Sequence, residues 1–238
     1  MKLETLKAVN VERAARRPVI VVTDTDNGEQ RLVKAADIAG DPLRSELSKQ
    51  LRMGKSGTVE AGGKKLFLNV YAPTAKLVIV GAVHISQALA PLARALDYDV
   101  TVVDPRTAFA SPERFPDVPL IAEWPDVALP PLNIDHYTAF VALTHDPKID
   151  DPALLHAFEK NCFYIGALGS RKTHAKRGDR LKAQGVSEAD FARIKAPIGL
   201  NIGAVSPSEI AVSIMAEITA ELRMPKADSK DVTKASAA

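Results

Sequence analysis

Leu77 to Val80 is an unbroken apolar run, the pattern of a parallel strand buried on both faces. Gly81 ends it. Ile85, Ala88, Leu89, Leu92, Ala93 and Leu96 then recur at helical spacing, as one apolar stripe. Val100 to Val103 is a second apolar run, closed by Asp104. Strand, glycine turn, helix, strand and acid, in that order, predict the start of a dinucleotide-binding βαβ unit.

The same two rhythms continue along the chain. Leu120-Ile121 fits a short third strand, Ala139 to Leu143 a buried fourth, and Phe163 to Gly166 a fifth. Between them, Trp124 to Pro131 is interrupted by prolines and predicts little regular structure. Asp151-Pro152 reads as the cap of a helix running to about Lys160. A basic helix is expected from Arg171 toward Gly185, and Ser187 with Asp190 marks a short helix start. Ser206-Pro207-Ser208-Glu209 opens a last helix with Ile210, Ile214, Ile218 and Leu222 as its stripe and Pro225 as its stop.

Upstream, a helix through Leu3 to Val11, a strand at Pro18–Thr23 and a turn from Asp24 to Gln30 are expected. A second helix is predicted with Asp41 as its cap and Pro42 at its first position. Gly57 to Glu60 and Lys65 to Tyr71, joined by Ala61-Gly-Gly63, read as a hairpin. The expected fold class is α/β, a Rossmann-like parallel sheet domain preceded by a small α+β domain. The expected boundaries are 1–72, 73–224 and a disordered tail at 225–238.

Composition narrows the function classes. A net charge of +2 over 238 residues points to neither nucleic acid nor a membrane surface. No apolar run reaches membrane-spanning length, and the start carries no signal-type apolar core, so a cytoplasmic protein is expected. Cys162 is the single cysteine, so no intrachain disulfide and no multi-thiolate zinc site can form. It precedes the fifth strand and reads as a small buried hydrophobe.

The dinucleotide fingerprint is incomplete. It asks for glycine at the positions of Gly81, Val83 and Ser86, and only Gly81 is present. A β-branched Val83 crowds the approach of a pyrophosphate. Asp104 nevertheless falls at the spacing of an acid that accepts from a ribose hydroxyl. Four loops follow apolar strands with polar groups, and ligands of open α/β sheets bind at such strand ends. They carry Gly81 with His84, Asp104 with Arg106, Thr144-His145-Asp146, and Gly166 to Lys172. Gly166 and Gly169 would let the last loop turn its N–H groups toward an anion, with Ser170, Arg171 and Lys172 adding donors and charge. His84 and His145 are candidates for proton transfer or ligand hydrogen bonds. No metal site is expected, because the histidines lack ligand spacing.

At these loops the sequence resembles the XdhC/CoxI family of xanthine dehydrogenase accessory factors. The carrying stretches are Leu77–Leu89, Val102–Arg106, Thr144–Asp146, Phe163–Thr173, Ala196–Ala204 and Ser208–Ile214, within roughly residues 60 to 223. The resemblance implies an accessory protein that binds the molybdenum cofactor (molybdopterin) transiently, assists its sulfuration and delivers it. It implies an apo molybdenum hydroxylase of the xanthine dehydrogenase type as partner. Further implied partners are a cysteine desulfurase and a separate cysteine-bearing XdhC-type subunit. A homodimer is allowed for. Relatives carry a cysteine-containing motif in the N-terminal domain that residues 1 to 72 lack. An NAD(P)-dependent oxidoreductase and a nucleotide-sensing regulatory module remain the alternatives.

Overall fold

The structure is a computed structural model and describes residues 2–224. The expected stop at Pro225 and the expected tail at 225–238 lie outside the described residues. Two compact units divide between Pro73 and Thr74, the second running Thr74–Leu222.

The first unit opens with α1 (Leu3–Ala14). It continues through β1 (Val19–Asp24), β2 (Gln30–Lys34), α2 (Arg44–Met53), β3 (Gly57–Ala61) and β4 (Lys64–Tyr71). The four strands form an antiparallel sheet in the order β2-β1-β4-β3. The segment of β2 had predicted no element; it pairs along β1 from Val19↔Lys34 to Thr23↔Gln30. The helix expected from Pro42 begins two residues later. Asp41 turns its carboxylate onto the Leu43 N–H (2.9 Å) and onto Arg31, so its own backbone stays extended and the helix starts beyond it.

The second unit is a six-stranded parallel sheet. Its strands are β5 (Lys76–Val80), β6 (Asp99–Val103), β7 (Leu120–Ile121), β8 (Thr138–Ala142), β9 (Tyr164–Ala167) and β10 (Ile194–Lys195). Their order is β10-β9-β8-β5-β6-β7. Chain order therefore reverses between β5 and β8, which makes the gap beyond their carboxyl ends the switch point of a Rossmann-type fold. Leu77 and Ile79 of β5 join one core cluster, Val78 and Val80 the other, as a strand buried on both faces requires. Helices α3 (His84–Ala95) and α8 (Pro207–Arg223) cover the first face. On the other lie α4 (Pro125–Ala128), α5 (Pro147–Glu159) and α6 (Arg171–Ala183), followed by α7 (Glu188–Phe191).

Two local expectations change. The proline-rich stretch at Trp124–Pro131 does hold a short helix, with Pro125 at its start where a missing N–H costs nothing. The helix expected from Asp151 starts earlier, with Asp146 as N-cap and Pro147 in its first turn, and Pro152 lies inside it. This stretch offers two Asp-Pro pairs, Asp146-Pro147 and Asp151-Pro152, and the first one caps.

The segment after β10 is clamped. A Cβ on Gly166 of β9 would stand 2.5 Å from Ile198 Cδ1, so the bare strand makes the seat for Ile198. Gly199 donates its N–H to Glu217 Oε2 (2.9 Å), which also accepts from the Tyr164 hydroxyl (2.6 Å). Ser213 Oγ donates to the Leu200 carbonyl at 2.7 Å.

Candidate functional site

Because all six strands run parallel, the loops after β5, β6, β8 and β9 leave the same edge of the sheet. On the β5–β6 side, Gly81 turns with φ +118°, and a Cβ there would meet Thr144 Cγ2 at 3.0 Å and Thr144 N at 3.1 Å. Only glycine lets the β5 and β8 turns touch. Ser86, at the third fingerprint position, is buried and donates its hydroxyl to the Gly81 carbonyl. That bond replaces the close helix–strand packing a glycine would give. Val83 holds the N-cap position of α3, and His84, its first residue, is exposed.

Asp104 is fully buried, and four donors surround its carboxylate. Oδ2 accepts from Ala82 N–H (2.7 Å) and Arg106 Nη2 (2.7 Å); Oδ1 accepts from the Arg106 N–H and Nε, both at 2.9 Å. Burial opposes the charge, but the Arg106 guanidinium and the two backbone amides outweigh it and hold the carboxyl below its ordinary range. The oxygens that spacing alone assigned to a ribose hydroxyl are thus engaged inside the protein. Arg106 also lies over the Phe109 ring, 4.5 Å from its centroid. Arg114, which the sequence reading missed, ties this loop to the β5 turn by donating to the carbonyls of Ala82 (2.8 Å) and Phe109 (2.7 Å).

The β8–β9 side is built differently. Thr144 donates its hydroxyl to Asp150 Oδ1 at 2.6 Å and accepts from the Asp146 N–H at 3.0 Å. Asp146 caps α5 through the Lys148 N–H (2.9 Å). Between them, exposed His145 is held at φ +63°, a conformation uncommon outside glycine. Gly169, at φ +134°, leaves space that Thr173 fills, and Ser170 caps α6 by accepting from the Thr173 N–H (3.2 Å). Gly166 is not part of this turn; it lies within β9, paired with Val141 and Lys195, and serves packing. Arg171 and Lys172 are exposed on the first turn of α6.

Between the first turns of α5 and α6 is a cavity of about 260 Å³ lined by His145, Asp150, Lys172, Lys176, Arg177 and Arg180 among others. Asp150, Lys176, Arg177 and Arg180 were absent from the sequence-derived candidates. Asp150 and Arg177 are 1% and 2% exposed. Their closest atoms, Asp150 Oδ2 and Arg177 Nη2, are 3.9 Å apart, within ionic reach but too far for a hydrogen bond. Burial pushes the Asp150 carboxyl above its ordinary range, with Thr144 and Arg177 offsetting only part of that. Arg180 is matched by Asp151, with Nε–Oδ2 at 2.6 Å and Nη2–Oδ1 at 3.0 Å. Among the described residues, no group of three or more His, Cys, Asp or Glu is placed to hold a metal ion.

Residues 77–218 match the family model described as the XdhC Rossmann domain. The chain belongs to the XdhC family. Within this family domain, Ser86 closes the β5 turn onto Gly81 at the third fingerprint position, and Val83 stands at the second. A Bacillus subtilis protein named as a probable xanthine dehydrogenase subunit is 34% identical over 154 residues, which is 64% of this chain and 44% of that one. The molybdenum cofactor insertion chaperone PaoD of Escherichia coli is 33% identical over 148 residues, 62% of this chain and 40% of that one. This XdhC chain therefore aligns with less than half the length of either relative. A crystal structure described as a xanthine dehydrogenase from Bacillus halodurans superposes with a TM-score of 0.63 at 25% identity, covering 95% of this chain and 66% of that one. No helix among the described residues is long and apolar enough to cross a membrane.

Proposed function

We propose that this chain is an accessory protein of molybdenum-hydroxylase maturation, with the molybdenum cofactor as its cargo. The observation that carries the reading is the basic opening at the β8–β9 edge of an XdhC Rossmann domain, beside a β5–β6 edge whose acid is already engaged. A relative named as a molybdenum cofactor insertion chaperone supports the same reading. The pterin would lie beyond Gly81 and Thr144, and its terminal phosphate would face Ser170, Arg171 and Lys172. His145, exposed at the switch point, would donate to or accept from the pterin edge. The cargo itself brings the molybdenum centre used by the receiving enzyme, a hydroxylase of the xanthine dehydrogenase type.

The metal end would be handled by another polypeptide. Cys162 is buried at the amino end of β9, opposite the site edge, and burial pushes its thiol up to about 12, which makes it a poor ligand. Sulfuration would then need a desulfurase and a second, cysteine-bearing polypeptide. Engagement of the Asp104 oxygens weighs against ordinary NAD(P) binding.

The test is purification of the chain from cells making the cofactor, followed by pterin fluorescence and molybdenum analysis. Retained pterin with molybdenum supports the reading; retained NAD(P) overturns it in favour of an oxidoreductase. Cys162→Ser should leave pterin retention and activation of an apo-hydroxylase intact. Loss of activation in a folded Cys162→Ser protein would make the thiol functional and end the proposed division of labour.

A further inference from the structure

We propose that the cavity between α5 and α6 is a phosphate-binding site, held by Arg177 from within and by Lys172 and Lys176 at its rim. It deepens the reading above, on which it rests only for the identity of the molecule carrying the phosphate.

The first support is unmet hydrogen bonding. Arg177 Nη2 donates to the Leu168 carbonyl at 2.8 Å, yet Nε and Nη1 have no partner among the described residues. Asp150 Oδ2 is in the same position. Buried charged groups left this way are costly, and native proteins rarely keep them without a ligand or water to complete them. Both residues line the cavity.

Charge decides between a water and an anion. The lining carries four cations, Lys172, Lys176, Arg177 and Arg180, against Asp150 as its one carboxylate. Of these four, only Arg180 has a carboxylate within hydrogen-bond distance among the described residues. Lys172 and Lys176 stand four apart on one helix, an arrangement in which like charges repel. Water would meet the donors and leave that repulsion in place; a phosphate removes both. The first turns of α5 and α6, each of 13 residues, add their positive ends to the same opening. A tetrahedral dianion can accept from the guanidinium and both ammonium groups together.

The experiment is calorimetric titration of the full chain with inorganic phosphate at low salt, in wild type and in Lys172→Ala/Lys176→Ala. The lysines are exposed, so the double variant should fold normally. Saturable binding weakened at least about tenfold in the variant is expected, from the loss of two charge-assisted bonds. Absence of saturable binding, or equal affinity in both proteins, overturns the site. Arg177→Lys, which keeps the buried charge, should weaken binding as well, and unchanged affinity there would count against the inner contact. A second arm adds phosphate to chain loaded with molybdopterin. Competition assigns the site to the cofactor's own phosphate, and lysine-dependent binding without competition assigns it to free phosphate; both support the site. A chain that binds phosphate through its lysines but never retains pterin would overturn the proposed function and leave the site standing. Pterin retention with phosphate affinity equal in both proteins would do the reverse.

Discussion

Asp104 and Asp150 are both buried acids beside an arginine, one on each side of the switch point, and they behave in opposite ways. Asp104 receives four donors, and its charge is held below the ordinary carboxylate range. Asp150 receives the Thr144 hydroxyl at 2.6 Å and the Thr144 N–H at 3.3 Å on one oxygen and, among the described residues, no hydrogen bond on the other, and it is pushed up. The difference is one of completeness. A carboxylate whose lone pairs are all met by the fold acts as a fastener, here pinning the Ala82 amide and the Arg106 loop. One left half-met beside an unmet guanidinium marks a place where the fold is finished by something else.

The largest test of this contrast is at the contact that joins the two sides. Gly81→Ala adds a Cβ 3.0 Å from Thr144 Cγ2 at a positive φ, so strain and overpacking should cost about 2–5 kcal/mol in urea unfolding. A loss below about 1 kcal/mol would show that the two turns are not locked together. Next, Asp104→Asn puts an amide against donors and should cost about 2–4 kcal/mol by the same measurement, reduced from a fully buried pair because Arg106 is 32% exposed. Asp150→Asn keeps an acceptor for Thr144 and removes a charge whose burial Arg177, 3.9 Å away, offsets only in part, so its cost should stay within about 1 kcal/mol even with the Arg177 pair lost. Equal losses at the two aspartates would erase the distinction.

The smallest effect is in pH dependence. Asp104, lowered from 3.8, binds its proton more weakly when folded; its contribution is present above 3.8 and fades as pH falls through the depressed value. Asp150, raised from 3.8, binds its proton more tightly when folded; its contribution is fullest below 3.8 and is lost as pH rises through the elevated value. Stability measured against pH should therefore lose part of its acid-side slope in Asp104→Asn, the rest coming from other lowered carboxylates such as Glu12, Asp24 and Asp41, and should fall less steeply above 3.8 in Asp150→Asn.

Much of the fold is legible because burial on both faces of a parallel sheet leaves unbroken apolar runs. Leu77–Val80 and Ala139–Leu143 could hardly read as anything else. β10 was not legible: Ile194-Lys195 is two residues long, and its place in the sheet is fixed by pairing with Ile165 and Gly166, not by any pattern of its own. The candidate site was half legible. The turn at Gly169-Ser170 follows from local chemistry that sequence carries; the cap of α5 was read at Asp151 and lies at Asp146, because Asp146-Pro147 offers the same local chemistry one turn earlier. Asp104 has the right spacing for a ribose acid, but which donors reach it depends on a loop conformation that spacing does not encode. Arg177 was hidden in a helix rich in solvated bases. The signal available was its position four before Leu181 and next to Gly178, both buried, which puts it on the inward face of α6.

The clamp around Gly199 has a consequence in time as well as in space. Its amide is tied to Glu217 of α8, its flank is seated in β9 through Ile198, and Leu200 is held by Ser213. Held at three points, the Gly199 amide should exchange with deuterium as slowly as the sheet's central strands. Slow exchange there would mean that this stretch travels with α8 as one piece during any breathing of the domain, and that it does not swing over the strand ends as a cover.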